Sequence, residues 1–69
     1  MMNCYLITGG AGFFGSIMKR ILLDGGNRVV SIDLQDDNLV EENFIAYKGD
    51  INDDALMSRI FEEYKFDAI

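Results

Sequence analysis

The sequence predicts an α/β fold built on a parallel sheet. Three observations carry this expectation. Strand-like apolar runs alternate with segments of helical period along the chain. The run Arg28 to Asp33 (RVVSID) is β-branched and nearly continuous, the pattern of a strand covered on both faces. A glycine-rich turn joins the first strand-like run directly to a helical segment.

The elements follow in order. Cys4 to Thr8 (CYLIT) is a short apolar run closed by glycines, and reads as a buried strand. Gly9-Gly10-Ala11-Gly12-Phe13-Phe14-Gly15 is a tight turn. After it Phe14, Ile17, Met18, Ile21 and Leu22 recur at helical spacing, with Lys19, Arg20 and Asp24 off that stripe. The stripe makes Phe14 a core residue, while the surroundings of Phe13 depend on what else packs there. Gly25-Gly26-Asn27 ends the helix. Arg28 to Asp33 is the second strand. Leu34 to Asn43, with Asp36, Asp37, Glu41 and Glu42, reads as a solvated acidic loop with room for one helical turn. Phe44 to Tyr47 is a third strand and Lys48-Gly49-Asp50 a turn. Asp53 suits the N-cap of a second helix, and Asp54 suits its positive end. In that helix Leu56, Met57, Ile60, Phe61 and Tyr64 form one apolar stripe. Phe66 to Ile69 begins a fourth strand. Right-handed crossovers then give the strand order 3-2-1-4 with one helix on each face.

Composition bounds the function. The chain has 69 residues, room for one small domain at most. A 49% hydrophobic and 26% charged makeup is that of a globular chain rather than a disordered one. A net charge of −6 gives no general attraction to nucleic acid or to an anionic membrane. No apolar stretch is long enough to span a bilayer, and no basic segment followed by a long apolar one marks a signal peptide. Cys4 is the single cysteine and fits a reducing cytoplasmic setting, as a buried core thiol. Histidine is absent, which removes His-based triads and most zinc sites; no metal site is expected.

Thr8 to Gly15 carries the chemistry. A strand, glycines and then a helix leave backbone N–H groups unpaired at the positive end of a helix dipole, an arrangement suited to an anion. Gly9 permits the tight turn, Gly12 lets backbone approach a pyrophosphate, and Gly15 lets the helix pack close to the strands. Asp33 ends the next strand, near the offset of about 20 residues at which an acid meets the hydroxyls of an adenosine ribose.

Thr8-Gly9-Gly10-Ala11-Gly12-Phe13-Phe14-Gly15 resembles the T-G-G-A-G-F-x-G fingerprint of the extended short-chain dehydrogenases/reductases, the NAD-dependent epimerases and dehydratases of nucleotide sugars. Gly49-Asp50-Ile51 is similar to the G-D-[IL] that follows the third strand in that family, and Phe66 to Ile69 is similar to the start of its fourth. The resemblance covers essentially the whole chain. It implies a partial Rossmann fold, with residues 1–69 as the N-terminal part of an NAD-binding domain. It implies that the backbone of Gly12, Phe13 and Phe14 meets the pyrophosphate, Asp33 the ribose, and Asp50 with Ile51 the adenine. The implied partners are NAD and, in a longer protein, a nucleotide sugar.

The family's acid/base machinery is a Tyr-x-x-x-Lys pair, in which the lysine lowers the tyrosine pKa. Tyr64-Lys65 lacks that spacing, so no catalytic residue is assigned and the 69 residues alone are expected to be inactive. Two alternatives stand beside the epimerase/dehydratase reading: a non-catalytic dinucleotide sensor or scaffold, and an NADP-dependent carbonyl reductase. Leu34-Gln35 supply no cation for a 2′-phosphate, against the second. The apolar edge beside the first strand leads to a further expectation, self-association through the strand 1/strand 4 side.

Overall fold

A computed structural model describes residues 2–69. Its elements are β1 (Cys4–Thr8), α1 (Phe13–Asp24), β2 (Arg28–Asp33), β3 (Phe44–Lys48) and α2 (Asp54–Glu63). The three strands form a parallel sheet in the order β1-β2-β3. Cys4 lies opposite Arg28 and Thr8 opposite Ile32, while Val29 lies opposite Phe44 and Asp33 opposite Lys48.

The backbone of β1 shows what stands on its other side. Asn3 O and Gly9 N bond towards β2, so the odd-numbered residues spend their polar groups there. The even-numbered Cys4 O and Leu6 N point the opposite way and bond Asp67 N at 2.8 Å and Ala68 O at 3.1 Å. Tyr5 and Ala68 thus form a parallel bridge, and the Cys4 N–H donates to the Asp67 carboxylate at 2.8 Å. The arrangement is 3-2-1-4, with the fourth strand reduced to that one bridge.

Alternation sorts the side chains. Leu6, Val30 and Ile32 point to one face, where Ile60 of α2 closes a buried cluster flanked by Ile45, Tyr47, Leu56, Met57, Tyr64 and Phe66. Val29, Ser31 and Phe44 point to the other face, under α1. Asp53 caps α2 as expected, its carboxylate accepting from Leu56 N at 3.1 Å.

The face α1 presents differs from the apolar stripe read in the sequence. Phe14 is 81% exposed, and Ile17, Met18 and Ile21 are exposed too, while Gly15 and Lys19 are buried. Gly15 causes this. A Cβ on it would stand 2.5 Å from Gly9 O and 2.7 Å from Gly10 Cα, so the helix packs backbone to backbone against the turn. That contact fixes the helix's rotation. The position one turn on is Lys19, which therefore enters the protein, and the stripe of Phe14, Ile17, Met18 and Ile21 is turned outward.

The acidic loop also departs from expectation. It contains no helix, and the Asp37 side chain is buried rather than solvated, paired with Lys19. Arg20 meets Glu41 at 2.5 Å, and Lys48 meets Asp36 at 3.4 Å.

Candidate functional site

The carboxyl ends of β1, β2 and β3 open into one cleft lined by Thr8, Gly9, Ile32, Asp33, Leu34, Gly49, Asp50 and Ile51. Topology produces it. All three strands run the same way, so the turns that leave them gather at one end of the sheet. Of the residues singled out in the sequence, Gly9, Asp33, Asp50 and Ile51 line the cleft. Gly12, Phe13, Phe14 and Gly15 do not. They form the start of α1 beside it.

Gly9 has φ +70°, which an L side chain rarely adopts, and its N–H donates to Ile32 O at 2.8 Å. The chain thereby leaves β1, turns sharply and remains tied to β2. Gly12 is the N-cap of α1 and has no side chain with which to cap it. Its own N–H donates to Gly9 O at 3.1 Å, and Ser16 N donates to Gly12 O at 2.9 Å. The amides of Phe13, Phe14 and Gly15 have no acceptor among the described residues. Three donors without acceptors thus gather at the positive end of a helix, two of them on exposed residues, Phe13 and Phe14.

Gly12 differs from its neighbours in why it is glycine. Gly10 and Gly15 have no room for a Cβ. At Gly12 φ is −80°, and a Cβ would meet only Gly9 O, at an ordinary 3.4 Å. Internal packing does not require glycine there. What its missing side chain keeps clear is the outer surface, over the free amides.

Asp33 links the turn and the cleft. One carboxylate oxygen accepts from Ala11 N at 3.0 Å and the other from Gln35 N at 2.9 Å. The Gln35 bond first, then the Ala11 bond, hold its pKa below the usual aspartate value, with smaller pulls from Leu34 N–H and the Lys19 ammonium. Each oxygen keeps a further lone pair for another donor. Asp50 uses one oxygen to accept from Asn52 N at 2.8 Å, closing the turn into α2, and Ile51 is half exposed beside it.

Tyr47, on β3, is not an activated phenol. Tyr47 donates towards Glu63 at 3.1 Å and Tyr64 at 3.5 Å, and the Tyr64 contact, burial and Glu63 together push its pKa up. The described residues contain no group of three or more metal-ligating side chains, and none of their helices is long and apolar enough to cross a membrane.

Sequence reasoning missed Leu34 as a wall of the cleft, and Lys19. The residues just after Asp33 carry no cation, whereas Lys19 arrives from α1. Its position one turn after Gly15 was the available signal.

Residues 6–69 match the family model described as GDP-mannose 4,6 dehydratase. The chain is 34% identical over 73 residues to a UDP-glucose 4-epimerase of Streptomyces lividans, covering 100% of this chain and 22% of that protein. It is 40% identical over 66 residues to a UDP-glucose 4-epimerase of Halalkalibacterium halodurans, covering 93% and 20%. With a dTDP-glucose 4,6-dehydratase of Xanthomonas campestris pv. campestris it shares 38% over 77 residues, covering 99% and 22%. The chain thus spans about a fifth of the length of the curated relatives it matches. No solved structure matches it significantly. With the family model spanning all but the first residues, and with these relatives agreeing along nearly the whole chain, the protein belongs to the GDP-mannose 4,6 dehydratase family of nucleotide-sugar epimerases and dehydratases.

Proposed function

We propose that this chain supplies the adenosine and pyrophosphate side of an NAD site in a nucleotide-sugar epimerase or dehydratase, as the N-terminal part of its dinucleotide-binding domain. The observation that carries the reading is the start of α1: three amides without acceptors under a glycine whose missing side chain clears only the outside. That chemistry suits a pyrophosphate. Gly12, Phe13 and Phe14 would hold it through backbone, Gly9 and Gly15 would shape the turn, Asp33 would take the ribose hydroxyls, and Asp50 with Ile51 would flank the adenine. When bound, NAD supplies a hydride acceptor for a sugar carbon. The residues of this chain bind and orient; none of them is proposed as acid or base. The negative charge of the chain and its single half-buried cysteine agree with a cytoplasmic protein whose partners are small molecules rather than nucleic acid or membrane.

NAD is favoured over NADP because Asp33 stands where a 2′-phosphate would come, and because the charge of Lys19 is taken by Asp37. Calorimetric titration with NAD, NADP and adenosine diphosphate tests the reading. Binding of adenosine diphosphate and NAD, with NADP weaker, is expected. A folded chain that binds none of the three overturns it.

A further inference from the structure

Lys19 is the one buried lysine among the described residues, at 4% exposed, on a helix whose apolar Phe14, Ile17, Met18 and Ile21 are exposed. Its ammonium pairs with Asp37 Oδ2, with both side chains more than nine-tenths buried, and lies 5.1 Å from the centre of the Phe44 ring. The other oxygen of Asp37 accepts from Leu39 N at 3.2 Å. Asp37 is thus held from two sides in the middle of the segment that connects β2 to β3. Four residues before it is Asp33, and Leu34 between them walls the cleft. The next residue of α1, Arg20, holds Glu41 of the same segment, at the surface.

From this juxtaposition we propose that Lys19 and Asp37 are a positioning pair, which pins the 34–43 segment to α1 and so sets Leu34 and the Asp33 carboxylate for an adenosine ribose. The inference rests on the adenosine site proposed above. A segment of ten residues without helix or strand has little of its own to hold it. Its inner anchor is this pair, since the Arg20–Glu41 contact is half exposed and weak by comparison. Asp33 Oδ1 accepts from Gln35 N, so the carboxylate takes its orientation partly from that segment. Release of Asp37 frees Gln35 and Leu34 to move, and the ribose meets a carboxylate held from the Ala11 side alone.

The test is a double variant, Lys19→Met/Asp37→Asn, in the intact protein. Methionine keeps the buried aliphatic stem and asparagine keeps the oxygen that accepts from Leu39 N, so the fold is retained while the tether is lost. Adenosine diphosphate is the probe, and affinity is taken per folded molecule. The expected result is a five- to tenfold weaker affinity, with faster amide exchange at Leu34 to Leu39 and unchanged protection in β1 and β2. A lower unfolding midpoint with unchanged affinity per folded molecule would mean a structural pair only, and overturns the proposal. Asp33→Asn, run in parallel, separates the two readings. If it weakens adenosine diphosphate and the double variant does not, the positioning pair fails and the site stands. If neither changes binding, the adenosine site itself is misplaced.

Discussion

Gly10 and Ser31 press together so closely that a methyl group on Gly10 would stand 2.5 Å from Ser31 Cβ and 2.9 Å from its hydroxyl oxygen. The glycine turn thus lies directly on β2, and the start of α1 is carried on the sheet rather than on a free loop. Gly10→Ala is expected to destabilise the fold by about 1–3 kcal/mol through overpacking. Ser31→Gly in the same chain should restore most of it. Denaturant midpoints of the two single variants and the pair give the answer; additive losses would contradict the contact.

Ser31 allows a second, opposite expectation. Its hydroxyl is buried and has no hydrogen-bond partner. Ser31→Ala removes an unsatisfied polar atom and should leave stability unchanged or raise it by up to about 1 kcal/mol. A clear loss in thermal unfolding would show that the hydroxyl has a partner in solution.

Gly12→Val should abolish dinucleotide binding with little loss of fold, because φ −80° suits any residue and the Cβ finds only ordinary contact inside. The branched side chain would cover the amides of Phe13 and Phe14 instead. A loss of NAD affinity of tenfold or more is expected, measured at matched folded fraction. Wild-type affinity in the variant would place the pyrophosphate elsewhere.

Asp33 is expected to govern both cofactor choice and a pH response. A carboxylate about 4 Å from a phosphate charge repels it by about 4 kcal/mol at an effective dielectric near 20, so Asp33→Asn should narrow the preference for NAD over NADP. Its pKa is lowered in the fold. The stability Asp33 contributes is therefore fully present above the ordinary aspartate value, about 3.9, and is lost as pH falls through its lower folded value. Carbon-detected titration of the side chain should give a midpoint below the ordinary value. A midpoint at or above it would remove the two backbone bonds from the explanation.

The apolar groove along β1, between Met18 and Leu22 on one side and Ala68 and Ile69 on the other, is where we expect copies of the 69-residue chain to associate. Met18→Lys should shift the chain towards monomer without altering its circular dichroism. Light scattering over a dilution series checks this. A wild-type chain that is monomeric and fully folded at micromolar concentration would contradict it.

The strands and their order were legible because alternation and glycine punctuation are local signals. Cys4 to Thr8 and Arg28 to Asp33 have the same limits in the sequence reading and in the fold. The grouping of Asp33, Asp50 and Ile51 in one cleft was legible for a related reason: parallel strands bring their ends together whatever the side chains are. The rotation of α1 was not. An apolar stripe at helical spacing normally marks the buried face, but here the closest approach is made by Gly15, which has no hydrophobic signal at all. Lys19 and Asp37 were read as surface residues for the same reason. Their burial is a pairwise property, and neither residue alone shows it.

The bridge between Tyr5 and Ala68 bears on the order in which this chain assembles. Its contacts join residues 63 apart, whereas β1 meets β2 across 24. Closing the longer loop costs about 0.9 kcal/mol more in chain entropy, and the return is two backbone hydrogen bonds and one from the Cys4 N–H to the Asp67 carboxylate. On chain entropy alone the β1–β2 pairing closes more readily than the bridge to Ala68. Opening of that bridge uncovers the polar groups of β1 that point away from β2, the Cys4 N–H and C=O and the Leu6 N–H, and these are the groups a further strand on that side pairs with.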